Sequence, residues 1–140
     1  MPSAELERLA ERGLLKRESP TRAELEGLIA SAISRLRDAE NEELSLDSRF
    51  DLAYNAAHAL ALAALRWRGY RADKRYLVFQ ALAHTLGTPA SVWRLLAKAH
   101  EQRNEIESLG MPVVNEPLVA ALLDAARGLL ERVNELSLPE

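Results

Sequence analysis

Phe50-Asp-Leu-Ala-Tyr-Asn-Ala-Ala-His-Ala-Leu-Ala-Leu-Ala-Ala-Leu-Arg-Trp67 decides the fold. Between Leu52 and Leu65 the only polar side-chain groups are Asn55, His58 and the Tyr54 hydroxyl. A helix that is apolar on nearly every face is one that neighbours pack around. Alanine is both the strongest helix former and small enough to let other helices approach closely. The run holds no glycine, proline or β-branched residue, so it reads as the central helix of a bundle. It is too short between Asp51 and Arg66, and too alanine-rich, for a membrane span.

The rest of the chain fits one domain over residues 1–140. Its composition, 48% hydrophobic and 28% charged, is globular rather than disordered. Valine and isoleucine are scarce beside Ala, Leu, Glu and Arg, which favours helices over strands. Cysteine is absent, excluding disulfides, thiolate metal sites and a cysteine nucleophile. Met1–Arg12 is charged and lacks the apolar core of a signal peptide. These features predict a soluble, cytoplasmic protein with no membrane association. The net charge of −3 advertises no global affinity for nucleic acid, leaving only local basic patches to consider.

Working outward, Ser3–Lys16 carries Leu6, Leu9, Ala10 and Leu14 at helical spacing, with Ser3 as cap and Gly13 weakening its end. Thr21 and Glu24 form a capping-box pair that opens a second helix to about Ala39. That helix is expected to bury Leu25, Leu28, Ile29, Ala32, Ile33 and Leu36. The central helix spans Leu46–Trp67, capped by Ser45 or Asp47, and closes on Arg66, Arg68 and Gly69. Tyr70–Asp73 reads as a loop. Lys74–Leu86 is a fourth helix with Tyr76, Phe79, Leu82 and Ala83 inward. Ala90–Ser108 is a fifth, stopped by Gly110-Met111-Pro112. Pro117–Leu136 is the last, with Pro117 at its first position. Short connections and no repeat period give an all-α, up-and-down bundle of five to six helices.

The fifth helix breaks its own pattern. At 100° per residue, Val92, Leu95, Leu96, Ala99 and Ile106 share one stripe, and Arg103 lands near its middle. His100 and Glu107 lie along one flank, with Asn104 further round. An arginine centred on an apolar face is paired, reaches water along its stem, or faces a partner. Glu107, one turn on, is a candidate partner. Two readings stand: Arg103 snorkels beside a loop, or Arg103, Asn104 and His100 line a cleft between helices or subunits.

Other chemistry is sparse. His58 reads as a core histidine and His84 as a surface or groove residue. The three histidines lack metal-ligand spacing, no E-x-x-H pair is present, and phosphate-binding glycine loops and nucleophile elbows are missing. No metal or cofactor is expected. Arg66, Arg68 and Arg71, interleaved with Trp67 and Tyr70, form the one basic-aromatic patch. They are candidate phosphate contacts, or simply cations favoured at a helix C-terminus.

Read together, Arg49-Phe50, Ala53-Tyr54-Asn55-Ala56-Ala57, Ala63-Ala64-Leu65, Gly69-Tyr70-Arg71 and Arg103-Asn104-Glu105-Ile106-Glu107 resemble the HEPN superfamily. The resemblance covers about Leu46–Ser108. It implies a four- to five-helix up-and-down bundle that forms a homodimer. Active members are metal-independent endoribonucleases, often toxins; others bind nucleotides or accompany a minimal nucleotidyltransferase encoded beside them. The active motif opens with Arg and a polar residue and closes with His or Tyr four to six residues later. Arg103 and Asn104 match the opening, but Ser108, Leu109 and Gly110 supply neither closing residue. Arg94 with His100 satisfies the spacing, yet Arg94 points about 180° from the apolar stripe. The motif is therefore degenerate. The resemblance implies a non-catalytic or weakly active module that binds nucleotide, RNA or a partner. Its setting would be a bacterial two-component, toxin–antitoxin or defence-like system, with a nucleotidyltransferase or antitoxin as the partner. The alternative is a metal-independent endoribonuclease using Arg103 with His100. A purely structural helical adaptor is the third reading.

Overall fold

The computed structural model describes residues 3–109 and 114–140, with side chains described as far as Asn104 and again from Val114. Ser3 caps α1 (Ala4–Glu11), accepting from the Leu6 amide. This helix stops short of Lys16, where the sequence pattern would carry it. Gly13 adopts φ +77°, and the amides of Gly13 and Leu14 return to the Ala10 and Leu9 carbonyls at 3.0 and 2.9 Å. That Schellman stop needs a left-handed residue, which glycine supplies without steric cost. The chain then extends into β1 (Lys16–Arg17), which pairs antiparallel with β2 (Tyr70–Arg71). The expected loop at Tyr70–Asp73 thus begins as a strand.

Thr21 opens α2 (Arg22–Ala39) with both halves of the capping box present, Glu24 N–H to Thr21 Oγ1 and Thr21 N–H to Glu24 Oε1, each at 3.2 Å. It buries Leu25, Ala32, Leu36 and Ala39. Ile33, expected inside, is 37% exposed and lies in a shallow groove with Leu36 and Leu130.

The central helix, α3 (Leu46–Trp67), has the expected bounds. Ser45 Oγ accepts from the Ser48 amide at 3.1 Å, and Gly69 at φ +91° ends it. It is followed by α4 (Arg75–Gln80), α5 (Leu82–Thr85), α6 (Ala90–Leu109) and α7 (Glu116–Asn134). The single helix expected over Lys74–Leu86 is divided at Ala81, where ψ rises to −16° and the His84 amide reaches back to Ala81 O. Its inward face is also rotated. Val78, Phe79 and Leu82 are buried, Arg75 is half-buried, and Tyr76 is 42% exposed. On α7, Asn115 is the cap and Pro117 takes the second position, which tolerates a missing N–H equally well. The expected stop at Gly110-Met111-Pro112 and the side chains of Ile106, Glu107 and Ser108 lie outside the described residues.

The result is an all-α bundle around α3. Phe50, Ala53, Tyr54, Ala56, Ala57, Leu60, Ala61, Ala64 and Leu65 are all 1% exposed or less. α2 and α7 are the main neighbours of α3, while α4, α5 and α6 also pack on it and α6 leans mostly on α4. No helix among the described residues is long and apolar enough to cross a membrane.

Candidate functional site

Four of the polar groups on α3 recur at i, i+3, i+4 and i+7: Asp51, Tyr54, Asn55 and His58. That spacing puts them on one stripe, and α4 and α6 close over it.

Tyr54 is the centre. Its side chain is fully buried. Phe50 and His100 lie nearly parallel to its ring at centroid distances of 6.3 and 6.2 Å, and Phe79 meets it edge-on at 5.8 Å. Two guanidiniums reach the same ring: Arg103 from α6 at 5.3 Å and Arg75 from the start of α4 at 5.6 Å. Both lie within cation–π range. The Tyr54 hydroxyl meets His100 Nδ1 at 2.8 Å. The far ring nitrogen of His100 lies 3.5 Å from the Asn104 amide.

Polar contacts orient the arginines. Arg103 Nε lies 3.4 Å from Asp51 Oδ1, a carboxylate 56% exposed at the rim. The expected partner, Glu107, lies outside the described side chains; among the described residues Asp51 meets Arg103 across the helix interface. Arg75 donates to Asn55 Oδ1 at 3.3 Å, while Asn55 Nδ2 donates to the Asp51 carbonyl at 2.8 Å. A side-chain amide that spans both contacts ties α4 to α3.

The field of the two guanidiniums is felt by both histidines. Burial, then Arg75, His100 and Arg103, push His58 down to about 4. His58 packs edge-on against Phe79 at 5.7 Å, as a core histidine would. His100 is lowered by burial first and then by Arg75 and Arg103, with exposed Glu101 acting weakly the other way. Both imidazoles are therefore neutral at physiological pH. Between pH 6.5 and about 4 the unfolded chain binds a proton at His58 that the native state does not. Stability therefore rises with pH across that window and is lost on acidification. The expected loss is on the order of 2–3 kcal/mol. Urea titrations at about pH 7 and pH 4.5 check it, with a clearly smaller difference expected for His58→Gln.

The sequence pattern places Arg103, His100 and Asn104 in one cluster, and the structure brings them together. Arg75, which no spacing rule announces, and the role of Asp51 escape that reading. The i, i+3, i+4, i+7 recurrence inside an apolar helix was the available signal for Asp51 and Tyr54. The alternative frame fails: Arg94 is exposed and lies over the ring of Trp93.

The basic-aromatic patch sits at the other end of α3, on the order of 15–25 Å away along the helix. Arg66 is 2% exposed and donates to the Glu18, Ser19 and Tyr70 carbonyls and to the Glu24 carboxylate. Arg71 pairs with Glu18 and Glu24. Arg68 stacks over Trp67 at 5.0 Å and donates to Thr85 O at 3.3 Å. Arg66 thus fastens the N-terminal segment to the end of α3 and is closed to a phosphate, while Arg71 stays 42% exposed and Arg68 half-buried. Among the described residues no group of three His, Asp or Glu is placed to hold a metal ion.

Compared with protein-family models, curated proteins and solved structures, the chain matches none. Function is therefore read from the chemistry of the cluster itself.

Proposed function

We propose that the chain is a HEPN-type helical module that binds the phosphates of RNA or a nucleotide at the arginine–histidine cluster where α4 and α6 pack over α3. The observation that supports this reading is the convergence of Arg103 and Arg75 on the Tyr54 ring, with His100 and Asn104 beside them. Arg75 meets a neutral amide at 3.3 Å. A phosphate oxygen displaces so long a contact with a shorter, charge-assisted bond that suits the planar guanidinium. The proposal extends to a cytoplasmic homodimer in a bacterial two-component, toxin–antitoxin or defence-like system, with a nucleotidyltransferase or antitoxin as partner. A symmetric pairing across α3 and α6 brings two copies of the cluster to one axis. Light scattering that reports twice the 15.6 kDa chain mass supports this assembly, and the monomer mass at high micromolar concentration removes it.

The second reading, a metal-independent endoribonuclease using Arg103 with His100, draws on one feature. His100 is neutral and one turn before Arg103, where a proton acceptor for the RNA 2′-hydroxyl would be wanted. A fluorescent single-stranded RNA, followed by anisotropy and by gel in the presence of a chelator, separates the two. The expected result is binding without cleavage. Ser108→His, which restores the closing residue of the motif, is expected to add slow cleavage that Arg103→Ala removes. Robust cleavage by the unaltered protein that depends on His100 establishes the enzyme instead.

A further inference from the structure

The hydrogen bond between Tyr54 and His100 carries more information than its length. A phenolic hydroxyl brings one hydrogen with it, and Tyr54 is fully buried. That hydrogen must have an acceptor, because a buried donor left without one is strongly disfavoured. Around the Tyr54 ring the neighbours are the rings of Phe50 and Phe79 and the guanidiniums of Arg75 and Arg103. Guanidiniums only donate. Among the described residues the one hydrogen-bond partner of the hydroxyl is His100 Nδ1, at 2.8 Å. The reverse arrangement, with Nδ1–H donating to the phenol, leaves the phenolic hydrogen without a hydrogen-bond acceptor among the described residues.

Neutral imidazole carries a single N–H, so a lone pair at Nδ1 places that hydrogen on Nε2. This nitrogen points away from Tyr54 and toward Asn104, whose Nδ2 lies 3.5 Å away. An amide nitrogen only donates and makes no bond to Nε2–H; turning the Asn104 amide over, which exchanges Nδ2 for Oδ1, gives Nε2–H an acceptor. Among the described residues the carboxylates of Asp51 and the exposed Glu101 make no hydrogen bond to the His100 ring.

We infer that Tyr54 holds His100 in the tautomer that presents Nε2–H, making His100 a hydrogen-bond donor beside Arg103 and Arg75. Three donor side chains then gather around Tyr54, and the ligand they suit is an acceptor-only oxyanion, a phosphate of RNA or of a nucleotide. The same tautomer denies the site a base. Abstracting a 2′-hydroxyl proton needs a lone pair facing the ligand, and the lone pair of His100 faces Tyr54 and is occupied. Binding without cleavage follows from one buried hydroxyl. Tyr54 is thus a positioning residue, acting through His100.

The ligand part of this inference rests on the phosphate-binding reading above; the tautomer does not, and the two are tested separately. In full-length protein labelled with 15N-histidine, at about pH 8 where imidazoles are neutral, two-bond proton–nitrogen correlations distinguish pyrrole-type from pyridine-type nitrogens. The His100 signals are assigned by their loss in His100→Gln. The expected pattern is pyrrole-type Nε2 with pyridine-type Nδ1, collapsing toward a tautomer mixture in Tyr54→Phe. A pyrrole-type Nδ1 in the unaltered protein overturns the inference, whether or not Tyr54→Phe folds. Binding is then read with a fluorescent single-stranded RNA and, separately, with inorganic phosphate. His100→Gln, whose amide N–H occupies the place of Nε2–H, is expected to bind within about threefold of the unaltered protein, and His100→Leu to bind about tenfold or more weakly. Equal weakening in both variants overturns the donor role. An unaltered protein with the expected tautomer and no affinity for either probe overturns the phosphate reading while leaving the tautomer assignment standing.

Discussion

Replacing Arg66 with alanine is expected to destabilise the protein by about 3–5 kcal/mol, lowering the midpoint of thermal unfolding by roughly 10–20 °C. Arg66 is 2% exposed near the end of α3. Its guanidinium donates to Glu18 O at 2.9 Å, Ser19 O at 3.2 Å and Tyr70 O at 3.2 Å. It also grips Glu24 through Nε at 3.2 Å and one terminal nitrogen at 2.8 Å. One side chain thereby fixes the turn before α2, the first turn of α2, and the strand that leaves α3. Most of the destabilisation comes from the three carbonyls left without donors and from the cavity, because Glu24 is 29% exposed and recovers some hydration. Glu24→Gln separates these contributions. Glutamine keeps the capping box with Thr21 while removing the charge that Arg66 holds below the usual carboxylate range. It is expected to cost about 1–2 kcal/mol, and the double variant should cost clearly less than the two singles added, since they share one interaction. An Arg66→Ala protein that melts within a few degrees of the unaltered one shows that the network contributes little.

The same residue shows where sequence reading stops. Leu46–Trp67 was legible to the residue because alanine-rich composition, a Ser45 cap and Gly69 all agreed. The Thr21–Glu24 box was legible because capping is local, with donor and acceptor three residues apart. Arg66 looked like a cation at a helix C-terminus, and nothing within several residues of it says that Glu18, Ser19 and Glu24 will fold back onto it. The two-residue pairing of Lys16–Arg17 with Tyr70–Arg71 was invisible for the same reason: a strand that short has no alternation to read. On α4, the periodic choice between Tyr76 and Arg75 was settled by tertiary contacts, Arg75 finding Tyr54 and Asn55. In the cluster around Tyr54, Arg103 was legible because it interrupts an apolar stripe, and His100 and Asn104 because they neighbour it on one helix. Asp51 and Arg75 come from other helices, and only the packing of α4 and α6 over α3 puts them there.

Removing both guanidiniums from that cluster, as Arg75→Ala with Arg103→Ala, is expected to abolish most RNA affinity. Each charge-assisted bond to a phosphate is worth about 1.5–3 kcal/mol, so single variants should bind a fluorescent single-stranded RNA about 10- to 100-fold more weakly. The double variant should bind at least about 100-fold more weakly. Salt provides the independent check: the slope of log affinity against log salt should fall by about 0.7 for each arginine–phosphate pair removed. The stability of Arg103→Ala is measured beside its affinity; Asp51, which Arg103 Nε meets at 3.4 Å, is 56% exposed and recovers hydration when the arginine is removed. Arg103→Lys keeps the charge without the planar fork, so it should fall between the unaltered protein and Arg103→Ala. Arg37, exposed on α2, is the control for nonspecific charge, and Arg37→Ala should leave both affinity and salt slope unchanged. A double variant that binds as tightly as the unaltered chain excludes this cluster as the phosphate site. One that is destabilised by several kcal/mol instead assigns the two arginines to holding α4 and α6 against Tyr54.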